Sequence, residues 1–245
     1  MPSNPLDVPF AIPDFARARR VGIPEVILSH RKTTAQVMEI VRQSLEVEGR
    51  AILSRVHPEL ERRLRQTYAQ NPDVELEWIA PPRALVIRRK GYTVQPTDGR
   101  VGVLTAGTSD IPVAEEAALV CRETGCQVRR FYDVGVAGLH RLFQPLKELI
   151  QEFDADVLIV VAGMDGALPS VVSGLVDVPV IGIPTSVGYG LGGRGLGALV
   201  SMLQTCAPGL AVVNIDNGVG GGAVAALIAR RAAARRQNPP FRGTT

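Results

Sequence analysis

Among the side chains able to do covalent chemistry, Cys206 stands in the most suggestive place. It follows a glycine run, Gly188-Tyr189-Gly190-Leu191-Gly192-Gly193, and precedes the turn Asn214-Ile215-Asp216-Asn217-Gly218. A thiolate is a strong nucleophile, and a loop poor in side chains lets backbone approach a ligand closely. Cys206 is expected at a helix end, where the helix dipole disfavours the thiolate, so activation must come from elsewhere, such as a cationic substrate. Residue physics alone supports a structural cysteine there as readily as a catalytic one. Cys121, among Ala118, Leu119 and Val120, reads as a small core residue, and Cys126 as an inert turn residue.

Other candidates fall after apolar runs. Gly107-Thr108-Ser109-Asp110 opens a helix, where free amides and hydroxyls suit a phosphate, although Ser and Asp also serve as plain caps. His140 follows Gly138-Leu139 at another helix start, and Asp165 lies in AGMDGALP, able to hold a cation or hydroxyl or simply to cap. His30 and His57 have no acidic or cysteine partners at ligand spacing and read as surface residues. The glycine run satisfies GxGxxG, with Asp216 at a dinucleotide-like distance. Four residues separate it from its strand, however, and its unit is not the first of the sheet. It is better read as a loop that closes over a ligand.

These residues need a scaffold. From Arg100 onward, strands alternate regularly with helices: Val101–Leu104, Gln127–Tyr132, Val157–Val161, Val180–Ile183 and Ala211–Ile215 are strands. The helices are Val113–Thr124, Leu139–Phe153, Ser170–Leu175, Leu196–Thr205 and Val224–Arg236. Continuous Val/Ile/Leu strands predict a parallel sheet covered on both faces, with ligand at the carboxyl ends of its strands. Every candidate, Cys206 included, is expected at that edge. Before Arg100 the pattern is mixed. A short helical piece (Asp14–Arg20) precedes strands Ile23–Ser29, Ala51–Ser54, Val74–Ile79 and Ala84–Ile87 and helices Thr33–Glu48 and Pro58–Gln70. Gly91–Gly99 reads as a linker. The expected organisation is a small α+β domain (1–95), a larger α/β domain (96–237) and a flexible tail (238–245).

Composition narrows the function. Of 245 residues, 46% are apolar and 21% charged, ordinary for a globular protein. The net charge of +3 belongs to Arg230, Arg231, Arg235, Arg236 and Arg242, which follow the last acidic residue; everything before them carries −2. A folded body without basic excess argues against a nucleic-acid partner. The start MPSNPLDVPF has neither a basic n-region nor an apolar h-region, and the apolar runs are strand-length, so a cytoplasmic protein without a membrane segment is expected. Three cysteines, an odd number without CxxC pairs, argue against a disulfide framework. With only Lys32, Lys90 and Lys147, any phosphate clamp must rest on arginine, serine or backbone amides.

Four stretches together carry a family resemblance: GTSDIPVAEEA, DVGVAGLHR, AGMDGALPSVVSGLVDVPVIGIPTSVGYG and TCAPGLAVVNIDNG. They resemble the LarB family of nickel-pincer cofactor biosynthesis, itself similar to the PurE-type aminoimidazole ribonucleotide carboxylases. RRVGIPEVI and LSRVHPE also resemble its leading domain. The resemblance implies a flavodoxin-like, three-layer αβα domain after the small one, in a homo-oligomer, an octamer by analogy. It implies a synthase that carboxylates C5 of the pyridinium ring of nicotinic acid adenine dinucleotide with CO2 or bicarbonate. The enzyme would then hydrolyse the phosphoanhydride to AMP and pyridinium-3,5-biscarboxylic acid mononucleotide. The family's nucleophile falls on Cys206, with His140 and Asp110 as further catalytic groups. Gly107, Thr108, Ser109, Arg141, Gly163, Met164, Gly188, Tyr189, Gly190, Asn214, Asp216 and Asn217 fall on substrate contacts.

Two departures stand out. Asp165, the implied Mg2+ ligand, stands where the family usually has glutamate, one methylene longer. HRKT at His30–Thr33 replaces a glycine-lysine-threonine turn. The rivals are a PurE-type carboxylase or mutase acting on aminoimidazole ribonucleotide, and a nucleotide-binding regulatory module without turnover.

Overall fold

The computed structural model describes residues 13–81 and 83–237. The chain divides into two compact units, Met1–Thr93 and Val94–Thr245. The division falls inside the glycine- and proline-bearing stretch 91–99, which carries neither helix nor strand. The expected flexible tail at 238–245 lies outside the described residues.

The first unit runs α1 (Arg17–Val21), β1 (Val26–Leu28), α2 (Thr34–Val47), β2 (Arg50–Ser54), α3 (Pro58–Tyr68), β3 (Val74–Ile79) and β4 (Ala84–Arg89). Its sheet has the order β1-β2-β4-β3, with β1 parallel to β2 and the other pairs antiparallel. β1 is an edge strand beginning two residues past Pro24, as the missing amide of a proline requires. Thr33 caps α2 through a reciprocal pair: its hydroxyl accepts the Gln36 amide, and the Gln36 side chain accepts the Thr33 amide. His57, read as a surface residue, is the cap of α3, its Nδ1 accepting the Leu60 amide at 3.3 Å. Val37, Val41 and Leu45 of α2 and Leu60 and Leu64 of α3 close a core with Leu53, Leu85 and Ile87 of the sheet.

The second unit contains β5 (Arg100–Thr105), α4 (Ile111–Glu123), β6 (Gln127–Phe131), α5 (His140–Lys147), β7 (Val157–Ala162) and α6 (Leu168–Ser173). It is completed by β8 (Val180–Pro184), α7 (Leu196–Leu203), β9 (Leu210–Val212) and α8 (Gly218–Gln237). All pairings are parallel and the order is β6-β5-β7-β8-β9, the flavodoxin-like arrangement. The order reverses between β5 and β7, so the loops after those two strands flank the crevice where such sheets bind ligands. Leu158, Val160 and Ala162 of β7 pack with Leu142 and Leu146 of α5, Leu168 and Val172 of α6, and Ala198 and Met202 of α7. α4 and α8 cover the other face.

Three boundaries differ from expectation. The helix read over Leu139–Phe153 ends in a wider π-type turn, Glu148–Glu152. β9 stops at Val212, so Asn214 and Ile215 belong to the following turn and not to the strand. α8 starts at Gly218, not Val224, so the glycines Gly220–Gly222 are helical. Their absent side chains explain this. A Cβ on Gly218 would lie 2.5 Å from the Val113 carbonyl oxygen, and one on Gly222 2.5 Å from that of Ala117. The glycines therefore let α8 press onto α4, and Ala225, Ala226, Ala229 and Ala233 continue the buried small-residue surface. Gly222→Ala gains about 1 kcal/mol of helix propensity, but its methyl meets backbone that cannot turn away. Overpacking should win, lowering stability by about 1–3 kcal/mol in urea unfolding; unchanged or raised stability would refute the close approach.

Candidate active site

The loops at the carboxyl edge are tied to one another through one buried carboxylate. After β5, Thr108–Asp110 form a short 3-10 turn that carries Asp110 inward, leaving it 4% exposed, while Thr108 and Ser109 stay at the surface. The Asp110 carboxylate accepts the Gly107 amide at 2.9 Å, the Thr185 hydroxyl at 2.7 Å and the Gly163 amide. These donors come from the loops after β5, β8 and β7. Burial pushes the Asp110 carboxyl above the usual carboxylate range, with Asp216 adding to the rise and the three donors opposing it. A carboxyl shifted upward beside a ligand crevice is suited to taking or giving a proton.

The remaining loops lock around this group. Gly163 sits where a Cβ would be 2.4 Å from the Val187 carbonyl oxygen and 2.7 Å from the Thr185 hydroxyl, so the loop after β7 lies directly on the start of the glycine loop. Met164 follows with φ +50° and donates its amide to Val187 at 2.9 Å. Asp216, φ +54°, accepts the Ser186 amide at 2.8 Å and donates its own amide to Pro184, fastening the turn after β9 to the glycine loop. Asp216 thus lies in a turn rather than at a strand end. From there the glycine loop projects outward, with Tyr189 and Leu191 almost wholly exposed.

The other candidates have local duties. Asn214 accepts the Ile215 amide, and Asn217 accepts the Gly220 amide at 2.9 Å, capping α8. Asp165 is exposed and accepts the Ala167 amide at 3.3 Å, a local turn bond; α6 begins after Ala167 without a side-chain cap, so the helix-capping reading of Asp165 does not hold. His140 and Arg141 are exposed at the start of α5, where Arg141 pairs with Asp133 at 2.6 Å. Their loop presses on that after β5, because a Cβ on Gly135 would lie 2.5 Å from the Ala106 carbonyl oxygen. They form the rim of the crevice rather than its floor. Gly188 and Gly190 have positive φ, +149° and +75°, as a side-chain-poor loop requires.

Cys206 is the main correction. It lies three residues past the end of α7 and four before β9, in the turn that returns the chain to the start of the sheet. The Gly209 carbonyl accepts the Val180 amide at the beginning of β8, and the Ser173 hydroxyl at the end of α6 donates to Pro208 at 2.5 Å. Asp216, by contrast, is bonded to Pro184 at the other end of β8. Four residues of strand, ~13 Å, separate the two positions, so Cys206 is at the amino edge of its own sheet. The expectation that it adjoins the crevice failed because a cysteine near two suggestive loops in sequence is divided from both by α7 and β9. Cys206 is exposed, whereas Cys121 and Cys126 are buried, their thiols pushed up by desolvation.

Thr185 was missed. Its cue is a hydroxyl directly after the apolar strand VIGIP, and Thr105 at the end of β5 does similar work, its oxygen accepting the Asp133 amide at 3.1 Å. Two open grooves of about 610 and 450 Å³ lie in the first unit, lined by residues of α2 and α3 and of α2 and the β3–β4 pair. Neither involves the crevice loops. Among the described residues no helix is long and apolar enough to cross a membrane.

A flavodoxin-like sheet with a buried carboxylate at its switch point is the setting of a small-molecule site. The chain belongs to the AIR carboxylase family, whose model matches residues 100–239, and a LarB/PurE-like N-terminal domain model matches residues 6–89. An uncharacterized protein of Methanocaldococcus jannaschii is 44% identical over 219 residues, 89% of this chain and 83% of the relative. N5-carboxyaminoimidazole ribonucleotide mutases also match. That of M. jannaschii is 35% identical over 118 residues, 47% of this chain and 69% of its own; that of Thermotoga maritima is 32% identical over 136 residues, 53% and 74%.

Proposed function

We propose that this chain is a LarB-type synthase, which carboxylates C5 of nicotinic acid adenine dinucleotide and splits its phosphoanhydride. The observation that carries the reading is the pairing of a LarB/PurE-like N-terminal domain with the carboxylase domain in one chain. The M. jannaschii and T. maritima mutases, in contrast, align with only about half of it. The stretch TCAPGLAVVNIDNG supplies the cysteine this chemistry needs.

The pyridinium ring is electron-poor, and its C5 does not attack CO2. A thiolate adding to the ring forms a C–S bond and neutralises the ring charge, leaving a dihydropyridine whose enamine carbon C5 is nucleophilic. C5 attacks CO2; a base then takes the C5 proton, and the electron pair of that C–H bond restores aromaticity as the thiolate leaves. Asp110 is our candidate for the base, being buried with a raised pKa at the crevice floor. His140 is the candidate acid or base at the rim. Gly107, Thr108 and Ser109 would hold the ribose phosphate through amides and hydroxyls.

Mg2+ is part of the proposal with a restricted role. Among the described residues no group of three His, Cys, Asp or Glu is placed to hold a metal. Asp165 offers one exposed carboxylate, which suits an ion held mainly by substrate phosphates and water. Mg2+ so held would neutralise phosphate charge during hydrolysis.

Purified protein with nicotinic acid adenine dinucleotide, bicarbonate and Mg2+ should yield AMP and a dicarboxylated pyridinium mononucleotide by mass spectrometry. Unchanged substrate would refute the reading. A second reading, an N5-carboxyaminoimidazole ribonucleotide mutase, draws on the 31–35% identity of the mutase relatives. Its ring is already enamine-like, so turnover of that substrate without dependence on Cys206 would establish it instead.

A further inference from the structure

In the first unit, α2 and α3 enclose the groove of about 610 Å³. β1 and β2 are parallel, and β3 runs the same way because both it and β2 are antiparallel to β4. α2 and α3 each cross between parallel strands, so both run back from the carboxyl edge and lie alongside one another on one face. This sets Ala35 and Met38 of α2 against Glu59, Arg62, Arg63 and Gln66 of α3 along the groove. The other arginines of these helices are matched with acids. Arg42 pairs with Glu39 and Glu46 at 2.6 Å, and Arg65 with Glu61 at 2.9 Å. Arg62 and Arg63 make no ion pair with any described residue, and neither does Glu59. Met38, half-buried against the core, forms an apolar wall with Ala35.

We infer that this groove is a binding site for a nucleoside monophosphate. Two adjacent guanidiniums without a carboxylate are a fork set for phosphate oxygens. The base lies on Met38 and Ala35, a methionine thioether adapting readily to a flat ring. Glu59, an acceptor with no donor of its own, takes the ribose hydroxyls, and the Gln66 amide can bond the base edge or the sugar. The volume falls within the ~300–1,000 Å³ of small-molecule sites. Inorganic phosphate fits less well: it would leave the apolar wall unused and be repelled by Glu59. The inference does not depend on the synthase reading, because no residue of the crevice enters it.

Photolysis of the full chain with 8-azidoadenosine 5′-monophosphate, followed by peptide mass spectrometry, locates the site. Label is expected within residues 34–66, and AMP should displace it. The Arg62→Gln, Arg63→Gln double variant should weaken labelling there by about 10-fold or more, since two charge-assisted contacts are lost. Both side chains are exposed, so this variant should unfold in urea as the wild type does, which separates lost binding from lost structure. Competition by AMP should exceed that by its 2′,3′-dideoxy form by about 10-fold, and Glu59→Gln should erase the difference. Label confined to crevice peptides, or label in 34–66 that the double variant leaves intact, overturns the site. Inorganic phosphate that displaces the label as well as AMP does overturns the nucleoside assignment.

Discussion

Replacing Cys206 with alanine is expected to abolish carboxylation, lowering kcat/KM by at least ~10⁴-fold, while Cys121→Ala and Cys126→Ala retain turnover. Removing a covalent nucleophile deletes the whole pathway rather than weakening one interaction, hence the size of the loss. The buried cysteines differ in kind. Desolvation holds their thiols protonated, and Cys121 donates to the Gly222 carbonyl at 3.4 Å inside the α4–α8 contact. Their alanine variants should show small stability losses and unchanged chemistry. Trapping substrate on the protein and locating the adduct by peptide mass spectrometry supplies a second readout. An adduct on Cys121 or Cys126, or full activity without Cys206, would end the thiolate mechanism.

Asp110→Asn is expected to lower kcat/KM by about 10²–10⁴-fold, the range for a positioned acid or base. It should also change how stability responds to pH. Because burial raises the folded-state pKa of Asp110, the folded protein holds a proton that the unfolded chain has already lost. The Asp110 contribution is thus most favourable below the unfolded carboxylate value and declines as pH rises through the window up to the raised folded value. Above that window it stays constant. Subtracting Asp110→Asn from wild type at each pH isolates this curve from the exposed carboxylates near arginines, such as Glu39 and Glu61, whose pKa values are lowered. A difference that grows with pH would mean that the donors from Gly107, Thr185 and Gly163 outweigh desolvation.

Much of this molecule was legible beforehand because its cues are local. Strand-like runs of four to six residues between helical periodicities gave the five parallel strands and the carboxyl edge. Thr33 marked the start of α2, and Pro58 that of α3. The start of α8 was misread for a physical reason: glycine run in isolation signals a loop, but against α4 it permits a close helix contact worth more than the lost propensity. Asp110 was singled out as part of an anion-binding turn, yet what makes it chemically apt, burial under Thr185 and Gly163, depends on residues 53 and 75 positions away.

The amino-acid sequence alone determined the architecture, the edge on which a ligand must sit, and Cys206 as the cysteine worth testing. Only the tertiary structure decided which of these share a site. In a parallel sheet, each helix carries the chain from one edge back to the other, so neighbours in sequence on either side of α7 end up a strand-length apart. Asp110, Thr185 and Asp216, distant along the chain, converge because their strands end at the same edge. Cys206 does not, because α7 and the start of β9 place it at the opposite edge.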